Sequence, residues 1–478
     1  MTIRLALIVC VVLLLGCQIT PTSTQANSFA FVNVTLIDAT HGTRPNMTVV
    51  IADEKIQQVS PTAATTLPAT LQQVDATSGF LIPGLWDMHV HITYEPELES
   101  RMFDLFLAHG ITSVRDTGGR LNEVLSWRER ARATPTQAPR VFVAGPLIDG
   151  DQPVYDGTGG LPDLSLAAPS PSEVERIVDL LANAGVDLLK AYEMLTPETF
   201  MALMERAAHH DLPVTGHIPL SMDAISVSEA GLRSIEHYRN IPLACAKNWD
   251  ELKLRREQLL AEPEESGAKR RRKLHEDQRP EAITNYDGPT CEKVMTALAE
   301  NGVWQIPTLT LNVLSKTQEF ATKEWQTHFD LLPDSIANRW RTSIKGITAS
   351  PAPTQWLALA NWTEMITPKM LEAGVTILPG TDTPIFFLTP GISLHQELVS
   401  MVEFGMTPAQ ALAAATYESA RYFEVEEEVG DIAPGKIADL ILLNENPLLD
   451  IRSTQKIRNV VRHGRLYDEA QLEVLRNK

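Results

Sequence analysis

The chain has 478 residues, of which 44% are hydrophobic and 21% are charged, a balance typical of folded globular proteins. It carries 41 lysines and arginines against 60 aspartates and glutamates, so its net charge is −19. This charge argues against a general nucleic-acid binder, which needs a basic face. Four cysteines in a chain of this length exclude a small scaffold held together by disulfides.

The first 17 residues, MTIRLALIVCVVLLLGC, predict a targeting segment. The apolar run from Leu5 to Leu15 is too short to span a bilayer but has the length of a signal-peptide core. Its end, LLGC, resembles the bacterial lipobox, so we expect a signal peptide over residues 1–16 and lipid on Cys17. An ordinary secretory signal is the alternative. Gln18 favours an outer-membrane lipoprotein on the periplasmic side, held by a polar tether over residues 17–28.

The middle of the chain alternates helical patterns with short apolar segments, and a glycine often separates the two, as at Gly185 and Gly374. This alternation predicts a parallel sheet. The expected strands lie near residues 85–91, 111–116, 140–145, 186–190, 213–217, 232–237, 303–308 and 375–382. Eight such units predict an α/β protein with a (β/α)8 TIM-like barrel over residues 81–425. The alternative, an open doubly wound sheet, would need a Gly-rich phosphate loop after its first strand, and we find none.

The two flanks of this region have a different pattern. Residues 29–80 and 426–478 alternate apolar and polar side chains, as half-buried antiparallel strands do. We expect both ends of the chain to form one small flanking β-domain, a β-sandwich, beside the barrel.

Polar side chains stand where several predicted strands end, which is where barrel enzymes hold their reactive groups. His89 and His91 are two residues apart on the first strand and therefore point to the same side. The other strand-end groups that could bind a metal or move a proton are Lys190, His217, His237 and Asp382. Two imidazoles placed together make half of a divalent-metal site.

These residues lie in motifs that resemble the amidohydrolase superfamily, over roughly residues 29–465. The motifs are PGLWDMHVH, GITSVRDTGG, the strand-end Lys190, VTGH, SIEHY, LPGTDT, and GMTPAQALAAATYESAR followed by GDIAPGKIADLILL. The prolidase and imidazolonepropionase-like branch of metal-dependent hydrolases is the most similar.

The resemblance implies a centre of two divalent ions. His89, His91 and Asp382 would bind the more buried ion, and His217 and His237 the second. Lys190 would bridge both as a carbamate formed with CO2. Histidine ligands favour Zn²⁺. A hydroxide bridging the metals would attack the substrate, with Asp382 as general acid and base.

Four further side chains are weaker candidates for contacts behind the metal ligands or with substrate: Arg115, Tyr192, Tyr238 and His395. Arg115 and Asp116 have a second interpretation as a structural ion pair beneath the site, and His395 as a helix cap. The strand-3 loop, DGDQPVYDGTGGLP, lacks the His-Gly run of many relatives, which puts substrate contacts from this loop in doubt.

Residues 246–290 form a densely charged insertion between the sixth and seventh strands, with a basic run from Lys269 to Lys273. We expect a solvated helical excursion above the mouth of the barrel that acts as a lid. The alternative is that the basic run binds an anion or membrane head groups. Cys245 and Cys291 flank the insertion, and in an oxidising compartment they are expected to form a disulfide; two buried free thiols are the alternative.

The expected activity is cleavage of an amide bond in a small molecule, with a dipeptide as the leading substrate on the resemblance alone. The alternatives are a lactone, carbamate or cyclic-amide hydrolase with the same centre, and a non-catalytic solute-binding lipoprotein. Membrane contact is expected only through the lipid anchor. The sequence leaves open whether the chain forms a homo-oligomer.

Overall fold

The computed structural model describes residues 28–264 and 266–477. The predicted signal peptide, the lipidation site at Cys17 and the tether up to residue 27 lie outside the described residues. Ser28, the last residue of the expected tether, begins the first strand. Within the described ranges, no helix combines the length and the hydrophobicity needed to cross a bilayer.

Strands and helices alternate through the middle of the chain, and strands dominate its ends. The strands are β1 (Ser28–Asp38), β2 (Gly42–Ala52), β3 (Lys55–Pro61), β4 (Gln72–Asp75), β5 (Phe80–Pro83), β6 (Leu85–Val90), β7 (Ile111–Asp116), β8 (Arg140–Val143), β9 (Leu147–Asp149), β10 (Ser165–Ala167), β11 (Leu189–Ala191), β12 (Val214–Gly216), β13 (Ser234–Glu236), β14 (Trp304–Ile306), β15 (Leu440–Leu443), β16 (Ile457–Arg462) and β17 (Arg465–Tyr467).

The helices are α1 (Glu99–Ala108), α2 (Leu121–Ala133), α3 (Pro171–Ala184), α4 (Pro197–His209), α5 (Ala224–Glu229), α6 (Ile241–Ala244), α7 (Trp249–Ala261), α8 (Gly267–Thr284), α9 (Gly288–Glu300), α10 (Leu309–Thr317), α11 (Lys323–Gln326), α12 (Asp334–Ile347), α13 (Thr354–Glu372), α14 (Ile392–Glu403), α15 (Pro408–Ala413), α16 (Ser419–Tyr422) and α17 (Glu469–Asn477).

Helix α3 shows how local sequence sets these boundaries. The Ser170 side chain accepts a hydrogen bond from the amide of Glu173, and Pro171 occupies the first turn, where a missing N–H costs nothing. The helix ends at Gly185, whose φ of 78° is left-handed. Its buried face, Val174, Ile177, Val178 and Leu181, has helical spacing and packs into the main core.

Both ends of the chain contribute to one eight-stranded sheet in the order β17-β16-β15-β5-β1-β2-β3, with β4 also paired to β1. The junction is β5 against β15, where Leu81 lies opposite Leu442 in antiparallel register. Phe31, Leu36 and Ile51 are buried beside them in a separate apolar core. The described strands of the two ends therefore lie in one sheet, and a second facing sheet of the expected β-sandwich is not seen among them.

The parallel strands form two sheets, β6-β7-β8 and β10-β9-β11-β12-β13-β14. Seven of the eight strands expected from the sequence are present, although most are shorter. The eighth, near residues 375–382, shows only single parallel bridges, Gln305 with Ile377 and Val90 with Thr383. The molecule is thus a mixed α/β protein with several parallel sheets, and closure into one barrel stays a prediction.

The charged insertion folds into α7 and α8, and α8 contacts α6, α7 and α13. Cys245 and Cys291, at its two ends, are fully buried and joined through their sulfur atoms. Their Cα atoms are 4.1 Å apart although 46 positions separate them in the chain. The insertion therefore leaves and re-enters the fold at a single point.

This link gives a first prediction. Replacing Cys291 by Ala removes a cross-link that closes a loop of this size, and chain entropy places its contribution near 4 kcal/mol. We expect the free energy of unfolding, measured by urea titration without reductant, to fall by about that amount. The double variant Cys245→Ala/Cys291→Ala should show the same fall, because the cross-link is lost only once. Equal unfolding midpoints for the wild type with and without dithiothreitol would contradict the assignment.

Candidate metal centre

The carboxyl ends of the parallel strands bring six predicted site residues to one cavity of about 310 Å³. His89 lies in β6 and Lys190 in β11, whereas His91, His217 and His237 directly follow β6, β12 and β13. Asp382 lies between the single bridges at Ile377 and Thr383. Parallel strands end at the same edge, so groups distant in sequence meet there. The residues are His89, His91, Lys190, His217, His237 and Asp382, and all line the cavity.

Asp382 lies at the middle of this group. Its Oδ1 is 3.2 Å from His89 Nε2 and 3.1 Å from His91 Nε2, while its Oδ2 is 3.9 Å from His237 Nε2. One donor atom from each of His89, His91 and Asp382 fits within 4.8 Å of the others, close enough for a single cation. The ring of His217 is 5.2 Å from that of His237, between their centroids. These side chains therefore form one cluster of nitrogen and oxygen donors.

All four histidines use Nδ1 for a contact that faces away from the centre. The Nδ1 of His89 donates to Glu236 Oε2 at 2.6 Å, and that of His91 to the carbonyl of Gly118 at 2.8 Å. The Nδ1 of His217 donates to Glu193 Oε1 at 2.8 Å, and that of His237 to Thr308 Oγ1 at 2.7 Å. Each acceptor places a proton on Nδ1, which leaves Nε2, on the cavity side, as the ring nitrogen available to a metal ion. Histidines that bind metals are oriented in this way.

The hydrogen bonds of Thr308 show which partner donates in its contact with His237. The Thr308 hydroxyl donates its proton to the carbonyl of Pro307 at 2.7 Å. The hydroxyl has only one proton, so toward His237 it must accept. Its backbone has a left-handed φ of 49°, and Leu309, which follows it, begins α10. A strained loop residue therefore positions the last of the four imidazoles.

Lys190 is buried, and its Nζ has no hydrogen-bond partner within residues 28–264 and 266–477. Burial lowers the pKa of its amine to about 8. A buried ammonium normally makes several hydrogen bonds, so this position is poorly built for one. The position suits a lysine that loses its proton and reacts with CO2, because the resulting carbamate would offer oxygen atoms to cations.

The carboxylates of the centre stay ionised through their neighbours. Burial alone would raise the pKa of Asp382, but His89 and His237 hold it well below its usual range. Burial likewise opposes the charge on Glu236, which Arg115 and Lys190 favour, and the pKa of Glu236 is held low. The donor set therefore combines carboxylate oxygen with imidazole nitrogen, which divalent cations of the Zn²⁺ type prefer.

Arg115 is the buried base of this arrangement, and its partner differs from the one expected. Its Nη2 donates to Glu236 at 2.9 and 3.0 Å, and its Nη1 donates to the Tyr422 hydroxyl at 3.0 Å. Asp116 instead accepts from the backbone amides of Ile92 and Gly118. Neighbouring residues on a strand face opposite sides, so an Arg115–Asp116 pair was wrong. The structural ion pair is Arg115–Glu236, and Glu236 in turn holds His89.

Breaking this pair should cost stability. Arg115→Met leaves Glu236 as a buried charge without its main partner, and such losses amount to about 3–5 kcal/mol. We expect the free energy of unfolding to fall by roughly that amount in a urea titration. Arg115→Met/Glu236→Gln removes both charges and should recover part of the loss. An Arg115→Met variant as stable as the wild type would show that the pair is not needed for folding.

Of the three weaker candidates besides Arg115, one lies at the cavity and two lie elsewhere. Tyr192 lines the cavity, with its ring 4.4 Å from that of His217. The buried Tyr238 is not among the residues that line the cavity, and its hydroxyl donates to Thr367 Oγ1 at 3.3 Å. His395 bonds the Thr454 hydroxyl and the carbonyl of His109 at 3.0 Å each, behind the site. It neither caps its helix by side chain nor touches a metal-binding candidate.

Two surfaces at the mouth complete the cavity. From the strand-3 loop and its flanks, Leu147, Tyr155 and Leu164 line it, so this loop does face the site. From the charged insertion, Arg271 and Arg279 line it as well. The excursion expected to lie above the mouth therefore contributes side chains to the cavity wall.

The sequence reasoning missed several residues behind the ligands. Glu193 stands three positions after Lys190, and Glu236 directly precedes His237 in the SIEHY motif. Alternation along a strand could have placed Glu236 on the face opposite His237. No local signal marks Thr308 or the arginines of α8, because only the tertiary fold brings them to the centre.

The pattern of the Amidohydrolase family matches residues 80–245 and 291–467, which is most of the chain. The chain belongs to the Amidohydrolase family. This family is typically metal-dependent and typically has a TIM barrel, and its pattern breaks off across residues 246–290. Membership supports a hydrolase that acts on amide bonds.

Individual relatives are more distant. The chain is 23% identical to ochratoxinase of Aspergillus niger over 447 residues, covering 81% of this chain and 75% of that protein. Its fold is similar to that of a Xaa-Pro dipeptidase with bound methionine, with a TM-score of 0.67, 21% identity and coverage of 92% and 100%. It is also similar to bottromycin amidohydrolase, with a TM-score of 0.70, 21% identity and coverage of 94% and 89%.

Proposed function

We propose that this protein is a metal-dependent hydrolase that cleaves amide bonds at a centre of two divalent ions, most simply Zn²⁺. The observation that carries the proposal is the common direction of the donors. Four imidazole Nε2 atoms and the Asp382 carboxylate face one cavity, and each Nδ1 is occupied behind it. The Nζ of Lys190, which has no hydrogen-bond partner among the described residues, supports a carbamate ligand between them. The two parallel sheets and their linking bridges support a closed (β/α)8 barrel around it.

His89, His91 and Asp382 would hold one ion, His217 and His237 the other, and Lys190 both. When bound, the ions lower the pKa of water and polarise the substrate carbonyl. Asp382 provides an acceptor at its carboxylate oxygens for the proton of the attacking water. It can return that proton to the leaving amine, which completes hydrolysis without a net change in the enzyme. Arg115 and Glu236 keep the imidazole ring of His89 in its orientation during these steps.

The substrate we propose is a dipeptide or a related acyl amino acid. One support is the similarity of the fold to that of a Xaa-Pro dipeptidase and of a putative prolidase from Bifidobacterium longum. The cavity also has the small size that such compounds need, about 310 Å³.

The test combines metal content with turnover. Purified protein should contain close to two divalent ions per chain by mass spectrometry of the metals, and a chelator should abolish hydrolysis of a dipeptide library. His217→Ala should lose mainly one ion. Activity on lactones, carbamates or cyclic amides in place of peptides would refute the proposed substrate class but would agree with the proposed metal centre. Full activity with one ion or none would overturn the binuclear proposal, and a loaded protein without any turnover would favour a solute-binding role.

We also propose that the chain is a periplasm-facing lipoprotein, on the LLGC sequence that ends at Cys17. Labelling with a radioactive fatty acid in a bacterial host should mark the wild type and not Cys17→Ser. Equal labelling of both would contradict the anchor.

A further inference from the structure

Helix α8 of the charged insertion presents one row of basic side chains to the active-site cavity. Arg271, His275 and Arg279 are spaced by four residues and therefore share a face of the helix. Arg271 Nη1 donates to the Tyr192 hydroxyl at 3.1 Å, and His275 Nε2 lies 2.7 Å from Glu193 Oε2. Arg271 and Arg279 both line the cavity. The row thus points inward, although the helix as a whole is strongly polar.

The charge of the cavity wall is unbalanced. Its arginines are Arg239, Arg271 and Arg279, and its carboxylate is Asp382, which already contacts the cluster of histidines. Among the described residues, Glu193 is the carboxylate nearest the arginines, 3.8 Å from both Arg239 and Arg271. The Glu193 carboxylate already makes hydrogen bonds with the imidazoles of His217 and His275. This positive excess occurs in a chain whose net charge is −19.

Arg279 shows the imbalance most clearly. No hydrogen bond or ion pair joins it to any other described residue, and burial together with the charge of Arg239 lowers its pKa to about 9. Behind it, Arg256 of α7 is buried with both Nη atoms unpartnered in the described ranges. Buried guanidinium groups without partners are unfavourable, and an anion with planar oxygens satisfies them well.

We propose that Arg271 and Arg279, together with Arg239, form a receptor for a carboxylate of the substrate. The substrate class is then an amide that carries a free carboxylate, such as an N-acyl amino acid, beside an apolar or aromatic group. The cavity offers Tyr155, Trp356 and Phe386 for the apolar part. Two of the three arginines come from residues 246–290, outside the family pattern, so the insertion sets specificity. This inference rests on the proposed amide hydrolysis at the same site.

The experiment compares N-acyl amino acids with their carboxamides on the full-chain, metal-loaded protein. The panel has acetyl-phenylalanine, acetyl-leucine and acetyl-proline, each as free acid and amide. We expect kcat/KM to favour the free acids by about 10–100-fold, the range of charge-assisted hydrogen bonds. Arg279→Gln and Arg271→Gln should remove this preference, because they should raise KM for the acids at least about tenfold more than KM for the carboxamides. Arg279→Lys, which keeps the charge, should retain part of it.

Arg272→Gln is the matched control, because Arg272 is exposed on the same helix, next to Arg271. It should behave as the wild type. A wild type that hydrolyses acids and carboxamides equally, or an Arg279→Gln variant with full preference, would overturn the receptor and leave the hydrolase proposal intact.

Binding without turnover separates the two proposals. Methylsulfonyl-phenylalanine, a sulfonamide that is not hydrolysed, and its carboxamide are titrated by calorimetry into the same proteins. The wild type should bind the acid at least about tenfold more tightly, and Arg279→Gln should not. This result without hydrolysis of any amide would support the receptor and refute the hydrolase. Equal affinity of the wild type for acid and carboxamide would refute the receptor even if amides are hydrolysed.

Discussion

Lys190→Ala should lose at least about 1,000-fold in kcat, because two-metal chemistry contributes several kcal/mol and each 1.4 kcal/mol is a factor of ten. The reason is the position of its Nζ, which is buried among the histidines without a partner in the described residues. Alanine removes the proposed bridging oxygens and leaves space for a small acid. Acetate or propionate should therefore restore part of the activity, as measured by initial rates at increasing acid concentration.

Two lysine variants make this result specific. Lys190→Arg preserves a long cationic side chain that cannot take up CO2, and it should be as inactive as alanine. Lys316→Ala removes an exposed lysine of α10 that pairs with Glu364, and it should be fully active. A Lys190→Arg variant that reacts as fast as the wild type would rule out the carbamate. Electron density for a bare Lys190 amine in a metal-loaded crystal would also rule it out.

Asp382→Asn should lower kcat by about 10²–10⁴-fold, the usual contribution of a positioned acid or base. Asparagine keeps an oxygen near His89 and His91 but cannot hold a proton at that oxygen. The metal content, measured on the same preparation, should fall less than the rate does. Rate and metal content falling together would show that Asp382 serves only as a ligand. A variant with unchanged kcat and unchanged metal content would show that Asp382 is neither a ligand nor a proton carrier.

The meeting of these six side chains in one cavity could be predicted from the sequence, because each of them ends a recognisable strand or motif. His89 and His91 share a strand face through simple alternation, and Asp382 follows the last glycine of the repeating pattern. The structure brings these side chains within about 4 Å of one another, although the last lies almost 300 residues further along the chain. The strands themselves were located from glycines that end the preceding helices.

The parts that were not predicted depend on contacts between distant segments. Arg115 was assigned to its neighbour Asp116, whereas strand geometry sends the two to opposite sides and Glu236, from another strand, completes the pair. The segment near residue 377 was expected as a full strand and has only single bridges. Its proline and glycine, in LPGTDTP, interrupt a regular ladder. Periodicity within one segment contains no information about these partners.

The covalent junction at Cys245 and Cys291 has a consequence for how such an enzyme diversifies. Because the excursion starts and finishes 4.1 Å apart, a recombination event that exchanges residues 246–290 leaves the strands and the histidine cluster unbroken. A homologous scaffold should tolerate grafts of different length at this junction, each importing its own rim chemistry. The histidine cluster would then stay the same, while the exchanged segment would change which ligand is preferred.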